Sequence, residues 1–149
     1  MEDIMKISMA CDHGGLELKL LIKKHLEERG FEVMDFGTDN LNSCDYPDYA
    51  EPAARAVASG ECERGILVCT TGIGVSIVAN KVDGVRCALL SDPISAKLTR
   101  QHNDTNMMAL GQGFVGPKLA LEIVDIWIDT AFEGGRHQNR VNKIMALEK

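Results

Sequence analysis

The chain has 149 residues, 45% of them hydrophobic and 26% charged, which suits one domain with its own core and no need of a metal or disulfide staple. A formal charge of −6 and an aromatic content of 5% argue against nucleic acid or an anionic membrane as partner. No apolar run reaches the roughly 20 residues of a membrane helix, and Met1 to Met5 lack the basic and apolar regions of a signal peptide. The five cysteines, Cys11, Cys44, Cys62, Cys69 and Cys87, form no C-x-x-C pair, so free thiols in a reducing cytoplasm are expected.

Short apolar runs alternate with helical patterns along the chain. Ile4 to Cys11 reads as a first strand ending at Asp12-His13-Gly14-Gly15. Leu16 to Arg29 follows as a helix with Leu18, Leu21, Ile22, His25 and Leu26 on one stripe, and Gly30 stops it. Phe31 to Phe36 is a second strand, Gly37 to Tyr46 a polar loop, and Pro47 starts a helix, where its missing N–H matters least. Gly65 to Cys69 is a short buried strand, followed by a glycine-rich turn from Thr70 to Gly74 and a helix from about Val75. Val85 to Leu90 is a fourth strand, Ser91-Asp92-Pro93 a capped helix start, and Asn106 to Leu110 a fifth strand. Pro117 to Phe132 is a helix, apolar nearly all round, and Asn139 to Leu147 a last short one. The alternation predicts one α/β domain over residues 1–149: a three-layer α/β/α, Rossmann-like sandwich on a five-stranded, mainly parallel sheet.

Ligands of such sheets bind beyond the carboxyl ends of the strands. Cys69-Thr70-Thr71-Gly72-Ile73-Gly74 joins a strand to a helix N-terminus there. Its amides can hold an anion, and the same field would favour the Cys69 thiolate. A Walker A loop is excluded by the missing Gly-Lys-Ser/Thr, a dinucleotide fingerprint by Ile77, and a Cys-x5-Arg phosphatase loop by Val75. Read alone, such a segment is more often a tight turn with an inert cysteine on a core strand. Asp12-His13 could meet a substrate or cap a helix. Arg136 and Arg140 share a helical face that fits a phosphate, or form a solvated basic surface. His102, placed with Asn103 in the turn before strand five, is an acid–base group or a surface histidine.

Together these pieces resemble the ribose-5-phosphate isomerase B family, which includes allose 6-phosphate and galactose 6-phosphate isomerases. The resemblance is carried by Ala10 to Gly15, Asp45 to Ala50, Gly65 to Lys81, His102-Asn103, and Phe132 to His137 with Arg140. It implies interconversion of aldose and ketose phosphates through an enediolate, without metal or coenzyme. Cys69 would move the proton between C2 and C1, and the amides of Thr70, Thr71, Gly72, Ile73 and Gly74, with the Thr71 hydroxyl, would steady the enediolate. His102 would open the furanose ring. Asp12, Tyr46 and Asn103 would hold hydroxyls, and His13, Arg136 and Arg140 phosphate.

Two positions depart from the family pattern. Thr70 stands where a glycine is frequent, which should narrow the pocket floor, and Gly113 where an arginine helps hold phosphate. Hence three readings: a ribose 5-phosphate isomerase, an isomerase of another phosphosugar, or a non-catalytic phosphosugar-binding domain; a thiol oxidoreductase is a fourth. His102 and Asn103 precede strand five, whereas Cys69 and Asp12 end their strands. A five-residue strand spans about 17 Å, so the expected enzyme is a homodimer with shared active sites, or a tetramer of such dimers. The helix containing Trp127 is the expected interface.

Overall fold

A computed structural model describes residues 4–149. Five strands, β1 (Lys6–Cys11), β2 (Glu32–Asp35), β3 (Arg64–Cys69), β4 (Cys87–Leu89) and β5 (Met107–Gly111), form one sheet in the order β2-β1-β3-β5-β4. Every pairing is parallel. The helices are α1 (Leu16–Glu28), α2 (Pro47–Ala58), α3 (Ile73–Asn80), α4 (Pro93–Asn103), α5 (Pro117–Asp129) and α6 (Arg136–Met145), with a 3-10 turn at His13–Gly15. The expected three-layer sandwich is present, and its sheet is parallel throughout.

The central strands alternate their side chains between two cores, as a period of two requires. Ile7, Met9, Ile66, Val68, Met108 and Leu110 pack with α1, α4 and α5, through Ile22, Ala96, Ile123 and Trp127. Ala10, Leu67, Cys69, Met107 and Ala109 pack with α2 and α3, through Ala53, Val57, Val75 and Ala79. The chain leaves β1 toward the first face and β3 toward the second. A crevice therefore opens between these neighbours at their carboxyl ends, the usual ligand position of such sheets.

Several boundaries and faces differ from expectation. Leu21 is partly exposed, while Lys19 is fully buried on α1. Its ammonium lies 2.7 Å from Asp35 Oδ1 and 2.6 Å from Thr38 O, tying the loop after β2 to the helix; a buried lysine needs such partners. β4 has three residues, because Val85 and Leu90 lie outside the ladder. This edge strand is clipped by the Asn80 side chain, which donates to Cys87 O at 2.9 Å and accepts from Cys87 N at 2.8 Å. α6 begins at Arg136, three residues early, straight after Gly134 and Gly135 turn the chain at φ 70° and 57°. His102 and Asn103 form the last turn of α4 rather than a loop. Trp127 is not available to a partner: it is fully buried, and its indole N–H donates to Thr105 Oγ1 at 3.0 Å.

Candidate active site

The first group of predicted residues lines the crevice between β1 and β3. Asp12 ends β1, and its Oδ1 accepts from Gly14 N at 2.9 Å. The capping reading of Asp12 is therefore real, and its second oxygen remains for a ligand. His13 follows in the 3-10 turn, with Nδ1 accepting from Cys44 N at 3.3 Å. That bond leaves Nε2 as the free ring nitrogen. Tyr46 precedes α2 and lays its ring over the start of α3: a Cβ on Gly74 would fall 2.6 Å from Tyr46 Cζ.

Cys69 is buried, at 5% exposure, on the last residue of β3. Its Sγ accepts from Gly72 N at 3.0 Å and lies 4.0 Å from Thr71 Oγ1. A hydrogen bond to sulfur strengthens when the acceptor is anionic. The Thr71 hydroxyl in turn accepts from Ile73 N at 3.1 Å. Two of the amides expected to face substrate, those of Gly72 and Ile73, are thus engaged inside the loop. Gly74 N–H, among the described residues, has no acceptor. The loop lies directly on β5. A Cβ on Gly111 would meet Thr71 C and O at 2.6 Å, and one on Gly72 would meet Leu110 C at 2.8 Å. Backbone-to-backbone contact of this kind accepts only glycine.

The two unusual positions are neighbours. Thr70 Oγ1 lies 2.2 Å from where a Gly14 Cβ would stand, and Thr70 Cγ2 lies 3.2 Å from that of Gly113. The Thr70 side chain thus fills the space between these glycines, while Gly113 N still donates to Thr70 O at 2.9 Å. Thr70 therefore leaves no room for a side chain at position 14.

The second group lies at the other end of the sheet. His102 and Asn103 end α4, just before β5 starts. Asp104, in the left-handed region at φ 47°, turns the chain. Buried Arg100 donates to Asp104 Oδ1, Thr105 O and Thr130 O, and Arg86 donates to Asn103 O and Asp104 O, so this turn is locked. Asn103 Oδ1 accepts from Thr99 Oγ1 at 3.1 Å, leaving its amide N–H groups free to donate. The His102 ring stacks on that of His137, centroids 4.3 Å apart and planes 16° from parallel. Desolvation, with the charges of His102, Arg136 and Arg140, holds His137 below the ordinary imidazole pKa. Arg136 and Arg140 are exposed on α6, and neither forms an ion pair among the described residues.

The candidate residues of one chain therefore fall into two groups at opposite ends of the sheet. Asp12, His13, Tyr46, Cys69 and the loop from Thr70 to Gly74 stand at the carboxyl end; His102, Asn103, Arg136 and Arg140 stand at the amino end. A cleft of about 770 Å³ at the amino end includes Asn103 and Arg86 but none of the carboxyl-end residues. Lys19, Arg86 and Arg100, which hold these loops, have no signature in the sequence beyond the Arg-x3-Asp spacing from Arg100 to Asp104, whereas Asn80 lies within the segment that carries the family resemblance.

Comparison with known proteins points the same way. A family model described as Ribose/Galactose Isomerase matches residues 7–144. Ribose-5-phosphate isomerase B of Escherichia coli is 54% identical over 144 residues, covering 97% of each chain. Ribose-5-phosphate isomerase B of Clostridium thermocellum superposes with a TM-score of 0.95 at 52% identity, covering 96% of this chain and 97% of that one. The Mycoplasma genitalium enzyme with bound ribulose-5-phosphate gives a TM-score of 0.92 at 42% identity, covering 95% of each.

Proposed function

The chain belongs to the ribose/galactose isomerase family, and we propose that it is, over residues 1–149, one cofactor-independent domain that interconverts ribose 5-phosphate and ribulose 5-phosphate. The observation that carries this reading is Cys69. A buried thiol accepts an amide N–H at the end of β3, in the crevice where this fold binds ligands. As thiolate it takes the proton from C2 of the open aldose and returns one to C1. The enediolate between these steps is an anion, so donors held in place beforehand, Thr71 Oγ1 and Gly74 N–H, favour it over the ground state. Asp12 and Tyr46 hold sugar hydroxyls, and His13 reaches the phosphate.

Ring opening and most of the phosphate grip belong to the amino-end half-site, too far away within one chain: β5 alone spans about 17 Å. The active unit in this reading is a homodimer in which His102, Asn103, Arg136 and Arg140 of one subunit complete the crevice of the other. Exposed Ile73 and Ile77 on α3 and Leu89 on β4 support this. They form an apolar surface beside the Cys69 loop, since a Gly72 Cβ would touch Leu89 Cδ1 at 2.6 Å. Among the described residues no helix is long and apolar enough to cross a membrane. All five cysteines are free, and free thiols support a reducing, cytoplasmic setting.

A second reading keeps the chemistry and changes the sugar. Thr70 on the pocket floor, with Gly113 offering no side chain, favours a phosphosugar of different length, such as allose 6-phosphate or galactose 6-phosphate. Assays of pentose and hexose phosphates in deuterated water test both readings. Turnover with deuterium gained at the transferred position is expected, and both are lost in Cys69→Ala with the fold retained. Turnover without exchange, or an active Cys69→Ala, would overturn the mechanism; a preference for a hexose phosphate would select the second reading.

A further inference from the structure

The geometry points to a binding site for a divalent transition-metal ion, of the zinc class, formed by His102, Glu133 and His137. One ligand atom of each lies within 4.8 Å of the others. His102 Nε2 and Glu133 Oε1 are 4.0 Å apart, and the two imidazoles are stacked. Two imidazoles and one carboxylate are a donor set suited to zinc, with metal–ligand distances near 2.0–2.2 Å. In a tetrahedron of that size the donors stand about 3.4 Å apart, so closing the site needs side-chain rotation and little else.

The backbone supports such a closure. Glu133 N donates to Gln101 O at 3.1 Å, fastening the segment before α6 to the last turn of α4. Gly134 and Gly135, both at positive φ, then fold α6 back so that His137, in its first turn, covers His102. In the single chain the cluster is partly exposed, with Glu133 outermost, so an ion can enter. Arg136 beside it weakens a cation's hold, which suits reversible occupancy rather than a resident cofactor.

The consequence for activity rests on the function proposed above. An ion on His102 occupies the ring nitrogen that would carry the proton given up in ring opening, so the metal would act as an inhibitor and not as a participant. Binding itself does not depend on that reading.

Zinc binding to the whole protein, followed by calorimetry, is expected at one ion per chain, weakened about tenfold or more in His137→Gln and in Glu133→Gln. Both substitutions fall on solvent-accessible side chains, and circular dichroism confirms the fold. Cobalt(II) as a probe is expected to give visible bands of a nitrogen–oxygen site without the intense ultraviolet charge-transfer band of a thiolate. Unchanged affinity in His137→Gln, or a thiolate band, overturns the site and assigns the metal to a cysteine. Zinc is expected to slow ribose 5-phosphate turnover in the wild type and much less in His137→Gln. If the ion binds through these residues and turnover is unaffected, the site stands and the ring-opening role of His102 falls.

Discussion

The Cys69 sulfur and the Gly72 nitrogen are 3.0 Å apart, and the bond between them joins the proposed base to the residue that precedes α3. Gly72 has φ 77°, and a Cβ there would lie 2.6 Å from Leu89 Cδ1, 2.8 Å from Leu110 C and 3.0 Å from Gly111 N. The backbone conformation and the packing on β5 therefore both demand glycine. Gly72→Ala is expected to lose about 1–3 kcal/mol of stability and to remove most of the activity, because the loop must lift off β5. Chemical denaturation and initial rates check this; a fully active, equally stable variant would show that the loop relaxes freely.

The opposed half-sites predict subunit complementation. Cys69→Ala and His102→Ala are each expected to be inactive as pure assemblies. Mixed by dissociation and reassociation, they should regain activity, because one crevice of each mixed dimer then has an intact Cys69 and an intact His102 from the other chain. Verified mixed dimers without activity would place both residues in one chain's site.

Arg136 and Arg140 are exposed and without ion pairs among the described residues, so their removal should leave the fold unaffected. Alanine at either is expected to raise KM for the phosphorylated sugar, at a cost of about 1.5–3 kcal/mol, the worth of a charged hydrogen bond. Since Gly113 has no guanidinium, the two would carry the cationic grip on phosphate with His13 in the proposed site. Equal KM for wild type and Arg140→Ala would remove Arg140 from the phosphate site.

The five thiols should react in an order set by their surroundings. Burial pushes Cys11 up to about 11 and Cys87 up to about 12, and also raises Cys62. A raised thiol pKa means less thiolate at pH 8, and the thiolate is the nucleophile. Limited iodoacetamide at pH 8 is therefore expected to label Cys11, Cys62 and Cys87 slowly, and Cys69 ahead of them because Gly72 N–H donates to its sulfur, read by peptide mass mapping. Activity should fall in step with Cys69 labelling, and ribose 5-phosphate should protect. Faster labelling of Cys87 would contradict the order.

The local patterns determined a good deal by themselves. Apolar runs, glycine turns and proline starts located five strands and six helices, because a strand's two-residue period and a helix's capping residues are written in neighbouring positions. The same patterns placed Asp12 and Cys69 at carboxyl ends, and Arg136 and Arg140 on a common helical face. What only the tertiary structure decided depends on residues far apart in the chain. Lys19 reads as a solvent-facing lysine until Asp35 and the Thr38 carbonyl meet it in the core. The helix containing Trp127 reads as covered by the core or by a partner, and the structure puts Trp127 in the core, where Thr105 accepts its N–H. Thr70 and Gly113, 43 positions apart by their numbers, prove to be in contact because β3 and β5 are paired. The His102–His137 stack likewise arises where two glycines fold α6 onto the end of α4. Burial and pairing of polar groups depend on the chain's global path, which no local window of sequence contains.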